Sequence, residues 1–171
     1  MRSKATKSKR PLKNTVTVHL SIKGVRPAAT FRIELMVRAR RMLKALGVQA
    51  PELSVLLCGD PFIQGLNRSY RGKDKPTDVL AFPMDARVQA GTSLLLGDVV
   101  ISLPTARRQA YAKGHALMEE VTFLLAHGLL HLLGMDHRDP HEEKAMTAYT
   151  HMLWAAAKGL RHSVDKPLTG N

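Results

Sequence analysis

The segment that most constrains this chain is His127-Gly128-Leu129-Leu130-His131-Leu132-Leu133-Gly134-Met135-Asp136-His137. It closes an apolar stretch that starts near His115 and reads as one long helix over 115–133. Gly134 can end that helix by taking a left-handed conformation. Residues four apart on a helix share a face one turn apart, so His127 and His131 point the same way. Two imidazoles held like this are a metal-binding pair. Beyond the Gly134 break the chain can turn back and close His137 onto the first two. Three His ligands leave one position for water, which is the arrangement of catalytic rather than structural zinc sites. A lone His on an apolar helix is ordinarily a satisfied core residue. Three at i, i+4 and i+10, with a glycine hinge between, are read as metal ligands: His127, His131 and His137, for one ion per chain. Imidazole suits zinc, nickel, copper and iron alike, and zinc is the default.

The spacing also follows the zinc-protease pattern His-Glu-x-x-His-x-x-Gly-x-x-His with one departure. Gly128 stands where that pattern places its general base. The metal scaffold is kept while the proton shuttle of peptide cleavage is missing.

Charge narrows the partner. Lys plus Arg is 26 and Asp plus Glu is 14 in 171 residues, a net charge of +12. Such a surface favours polyanions, nucleic acid before anionic membrane. Residues 1–13 hold six basic residues and no acid, half of the net charge. Residues 1–14 are therefore expected to be a disordered basic tail. It is either a solubilising tail or an arm for the phosphate backbone, with an organelle transit peptide as the lesser alternative. One cysteine, Cys58, excludes a disulfide-built scaffold and suits a reducing, cytoplasmic setting. No run approaches the roughly 18 apolar residues of a membrane span, and no apolar segment follows the basic start.

The rest of the chain fits one α+β domain over 15–161, with a loose tail at 162–171. Val16, Val18, Leu20 and Ile22 alternate as in a strand. Leu35, Ala39, Met42, Leu43 and Leu46 make one apolar face of a helix over 29–46, with Arg38, Arg40 and Arg41 on the remaining face. Leu53–Cys58 reads as a buried strand. Asp60 is expected to cap, and Pro61 to open, a short helix reaching Tyr70 and ending at Gly72. A polar loop at 73–77 leads to a strand at 78–82, an exposed turn at 86–93 and a strand at 95–103. Pro104 starts a helix that weakens at Gly114. Asp139-Pro140, with Glu142 and Glu143, starts the last helix, which reaches about Leu160. Met118, Met146, Met152 and Trp154 fall at helical spacings and read as core. The sum is one mixed four-stranded sheet packed with about five helices, the metal site lying on the long helix and the turn after it.

At this point the sequence resembles the YbeY family of metal-dependent endoribonucleases. The resemblance rests on the histidine segment with its Leu-Leu-Gly-x-Asp-His ending, on Leu66–Pro83 (LNRSYRGKDKPTDVLAFP), on Leu96–Ser102 (LGDVVIS), and on Gly114-His115 with Glu120. These blocks cover roughly residues 55–150 in the expected order. Ala81 stands where the family usually has Ser, which removes a hydroxyl. Met135 stands where Tyr or His is common, which leaves ligation intact. The resemblance implies a one-domain α+β fold with zinc on the three His. It also implies action on single-stranded RNA, in 3′-end maturation of small-subunit ribosomal RNA and in ribosome quality control. The implied partners are ribosomal RNA and the small ribosomal subunit with its proteins, and neither a membrane nor a small-molecule cofactor is expected. The family's functional arginine maps to Arg71, and its first metal histidine to His127, so these two are the expected catalytic residues.

The chemistry agrees. Phosphodiester cleavage builds negative charge on the non-bridging oxygens, which a metal cation and an Arg with two parallel hydrogen bonds both stabilise. Lys73 and Lys75 are either phosphate contacts or plain surface charge. Asp136 either fixes an imidazole or caps the turn. Glu120, two turns before His127 on nearly the same face, either orients a ligand or a water or starts the helix. His115 and His141 are read as non-ligands. Two other functions share these features: a non-catalytic RNA-binding assembly factor with structural zinc, and a metallopeptidase-like hydrolase, against which Gly128 argues.

Overall fold

The computed structural model describes residues 15–48, 50–84, 94–135 and 139–160. The expected tails at 1–14 and 162–171, the turn at 86–93, and Asp136 and His137 lie outside the described residues. The described chain runs β1 (Thr17–Lys23), α1 (Ala29–Ala45), β2 (Pro51–Cys58), α2 (Asp60–Arg71), β3 (Val79–Pro83), β4 (Leu94–Ser102), α3 (Leu103–Lys113), α4 (Leu117–Leu132) and α5 (Pro140–Ala157). Four strands and five helices in mixed order make the expected α+β domain.

The sheet order is β1-β2-β4-β3. β1, β2 and β4 are parallel, and β3 runs antiparallel to β4 at one edge. Side chains of a strand alternate between faces, and here both faces are covered. Leu53, Val55, Leu57, Val99 and Ile101 face the main core, against Leu35 and Met42 of α1, Leu125 and Leu129 of α4, and Leu153 of α5. Cys58, Leu80 and Val100 point the other way, against Ile63 of α2. β2 and β4 are thus buried on both sides, which is why they read as continuous apolar runs. α4 is the most enclosed helix, lying between the sheet and α1, α3 and α5. That position accounts for its nearly uninterrupted apolar sequence.

Local signals place the boundaries. Gly72, Gly114 and Gly134 have φ of 68°, 71° and 84°, the left-handed conformation that ends a helix and that glycine adopts without a Cβ penalty. Asp139 caps α5 by accepting hydrogen bonds from the His141 and Glu142 backbone N–H groups. One expectation needs correction. The residue before α2 is Gly59, and Asp60 is the first helical residue rather than the cap. Its carboxylate instead accepts hydrogen bonds from the Ser102 and Thr105 hydroxyls, and Arg108 pairs with it at 2.9 Å. It therefore ties α2 to α3, a use no local pattern announces. Two arginines on the remaining face of α1 reach other elements. Arg38 Nη1 donates to Glu119 at 2.9 Å and to Thr122 at 3.1 Å, and Arg41 Nη1 donates to the Ala157 carbonyl at 3.1 Å. These bonds clamp α1 to α4 and to the end of α5.

Candidate active site

His127 and His131 lie on one face of α4, as helical period requires, and their Nε2 atoms are 3.2 Å apart. At a zinc–nitrogen distance of about 2.0–2.1 Å, neighbouring ligands of a tetrahedral ion stand about 3.3 Å apart. The observed pair fits one shared cation. Among the described residues no group of three His, Cys, Asp or Glu side chains is clustered for a metal, and the third expected ligand, His137, lies outside them.

Both histidines line a cavity of about 740 Å³. Its walls are the α4 stripe, the edge strand β3, and the end of α2 with Arg71. Arg71 is exposed, the last residue of α2 before the left-handed Gly72. The loop that follows is folded back onto α2. Asn67 Nδ2 donates to the Lys75 carbonyl at 2.8 Å, and Gln64 Nε2 donates to the Asp74 carboxylate at 3.0 Å. Arg71 therefore leaves a rigid corner. Lys73 and Lys75 are exposed on the same loop and do not line the cavity.

Glu120 is buried, 1% exposed, yet lines the same cavity. Its carboxylate takes Lys113 Nζ at 2.8 Å and His115 Nε2 at 2.9 Å. A buried carboxylate needs such partners. It does more than start α4: it holds Lys113, which α3 brings to the cavity wall. His115 is accordingly engaged by Glu120 and by the Ala116 carbonyl at 3.2 Å.

Gly128 has a structural cause. A Cβ there would meet Val99 Cγ1 at 2.7 Å and Val79 Cγ2 at 3.3 Å. α4 presses its backbone onto β4 and β3, and the glutamate of the protease pattern has no room.

Some cavity residues were not anticipated. Phe123 sits four before His127, so helical period alone identifies it. Asp78 reaches the wall because its carboxylate accepts hydrogen bonds from the Val79 N–H at 2.8 Å and from Gln109 Nε2 at 2.9 Å. Lys113 lines the cavity from a different helix, α3, and Asp78 from just before β3, and no sequence spacing connects Lys113 to the histidines.

The chain is similar to known proteins of one family. The family model described as Endoribonuclease YbeY matches residues 21–158. Among curated relatives, Endoribonuclease YbeY of Aquifex aeolicus is 48% identical over 132 residues, 77% of this chain and 83% of its own. That of Paramagnetospirillum magneticum is 41% identical over 153 residues, 83% of this chain and 93% of its own. A Thermotoga maritima protein of known solution structure shares the fold, with a TM-score of 0.58 at 23% identity, covering 82% of this chain and 89% of its own.

Proposed function

The chain belongs to the YbeY family of endoribonucleases, and from that premise we propose a zinc-dependent endoribonuclease specific for single-stranded RNA. Its task is 3′-end maturation of small-subunit ribosomal RNA and ribosome quality control, in the cytoplasm, with the small subunit and its proteins as partners. The observation that carries this reading is one cavity that gathers His127, His131 and Arg71.

His127 and His131, with His137 as third ligand, would hold the zinc ion. When bound, the ion supplies Lewis-acid charge and an activated water at neutral pH. The chain's own groups do the rest. The Arg71 guanidinium faces the same cavity and can donate two parallel hydrogen bonds to the non-bridging phosphate oxygens as charge builds on them. Lys113, paired with Glu120, places an ammonium donor on the same wall. Glu120 is a positioning residue, since both its oxygens are engaged by Lys113 and His115. Gly128 disfavours the peptidase reading, because a side chain there would collide with Val99 unless the sheet contact shifts.

The test is cleavage of a single-stranded ribosomal RNA precursor by the full chain. Cleavage should stop on chelation, return with zinc, and be absent from His127→Ala. Folded His127→Ala protein that cuts RNA as fast as the parent would sink the reading. Chelation that unfolds the domain, with no cleavage at any zinc loading, would favour the non-catalytic assembly factor.

A further inference from the structure

A second cavity of about 500 Å³ opens beside the first, between the start of α4 and the end of α5. Lys113, Glu120 and Phe123 line both cavities, so the two share a wall. Its remaining walls are His115, Glu119, His151, Trp154 and Lys158. Three aromatic rings therefore meet there. Phe123 and His151 have centroids 5.5 Å apart at 63°, and His151 and Trp154 are 6.4 Å apart at 88°. The rings meet edge to face rather than stacked on one another, and Lys113 Nζ lies 5.8 Å from the Phe123 ring centroid. Trp154 was read from the sequence as core, yet it is only half-buried.

The platform is fixed before any ligand arrives. The indole N–H donates to the Glu119 carbonyl at 3.3 Å. Lys158 Nζ lies 4.1 Å from the Trp154 ring centroid and 2.8 Å from Glu119 Oε2. Both acids of the pocket are already compensated, Glu120 by Lys113 and His115, and Glu119 by Arg38 and Lys158. A polyanion approaching this pocket meets ammonium groups at its rim rather than unpaired carboxylates.

The geometry points to a nucleobase subsite: one base of the single-stranded RNA, outside the cleaved linkage, stacks among Trp154, Phe123 and His151 while Lys113 and Lys158 face its phosphates. Every base has a π-face, so such a platform binds strand without reading sequence. Duplex RNA keeps its bases stacked inside and cannot offer one, so the pocket gives the preference for single strands a physical basis. This inference rests on the endoribonuclease reading for its ligand.

Trp154 is the one tryptophan in the chain, which makes the pocket directly visible. His127→Ala protein is titrated with a single-stranded oligouridylate of about ten nucleotides, following indole emission and, in parallel, anisotropy of a labelled strand. We expect saturable quenching that tracks binding and is lost with a sugar-phosphate strand of the same length lacking bases. His151→Ala changes an exposed side chain and should weaken binding by about 5- to 10-fold. Trp154→Ala should weaken it by on the order of 10- to 100-fold, with Trp154→Phe recovering most of the loss. In the active enzyme these changes should raise KM and leave kcat nearly unchanged. Binding by anisotropy with no change in indole emission overturns the subsite while leaving the endoribonuclease reading intact. Equal affinity for the strand without bases does the same. No binding of single-stranded RNA by either readout overturns both.

Discussion

The two walls of the cavity are built on different principles. The histidine wall is a single helix, α4, buried on nearly every side, whose side chains follow one period. The arginine wall is an exposed corner where α2 stops at Gly72 and a loop folds back, held by Asn67 and Gln64. The first wall is local in sequence and rigid because it is enclosed. The second is rigid because a few polar bonds close a loop. Under the proposed function a metal-ligand set would use the first kind of support and a phosphate clamp the second, since a guanidinium must reach a substrate arriving from solvent.

The largest test of this contrast is on the helix wall. His131→Ala should lower cleavage by about 10³-fold or more, because it removes part of the charge stabilisation that a metal centre supplies. Rates with added zinc settle it, and near-parent activity would detach the helix wall from the chemistry. On the loop wall, Arg71→Lys should cost about 10²-fold in kcat, since an ammonium cannot reproduce the planar two-bond fork. A full rescue by Lys would mean that only charge matters there.

Gly128→Ala tests the enclosure itself. The added methyl meets Val99, and overpacking typically costs about 1–3 kcal/mol, read as a lowered urea midpoint. An unchanged midpoint would show that α4 can shift away from the sheet, so that the helix wall is less rigid than the contrast requires. The smallest effect concerns acid. Burial raises the Glu119 carboxyl, but hydrogen bonds from Lys158 and Arg38, and their charges, outweigh this and hold it below its ordinary 4.5. Burial likewise opposes Asp60, while hydrogen bonds from Ser102, Thr105 and Arg108, with the Arg108 charge, hold it below 3.8. A carboxyl depressed in the folded state contributes stability that is complete above its ordinary value and is lost as pH falls through the folded one. Glu119→Gln on the helix side and Asp60→Asn on the loop side should each flatten stability below about pH 4.5 and leave its slope near pH 7 unchanged. A slope altered near neutrality would point to a different group.

The helix wall was legible in the sequence because a helix converts spacing into direction. His127, His131 and Glu120 share a stripe on any helix, and Phe123 was available by the same rule. The sheet strands were legible from alternation and apolar runs, and the helix ends from Gly72, Gly114 and Gly134. What could not be read were the partners that meet through space. Asp60 looks like a cap and is a tie between helices. Arg38 sits on the polar face of its helix pattern and clamps α1 to α4. Trp154 looks like core and walls a second cavity. Lys113 carries no motif, yet Glu120 fixes it between two cavities.

By itself, then, the sequence determined the order of elements, the shared direction of His127 and His131, and the resemblance to a family of RNA-cleaving enzymes. Local periodicity and backbone preference act within a few residues, and those features need nothing more. Only the tertiary structure decided that Arg71 lines one cavity with the histidines, that Gly128 lies close against Val99, and that three aromatic rings meet beside the site. These depend on how helices stack on the sheet, a choice made by the whole core at once, and no spacing along the chain records it.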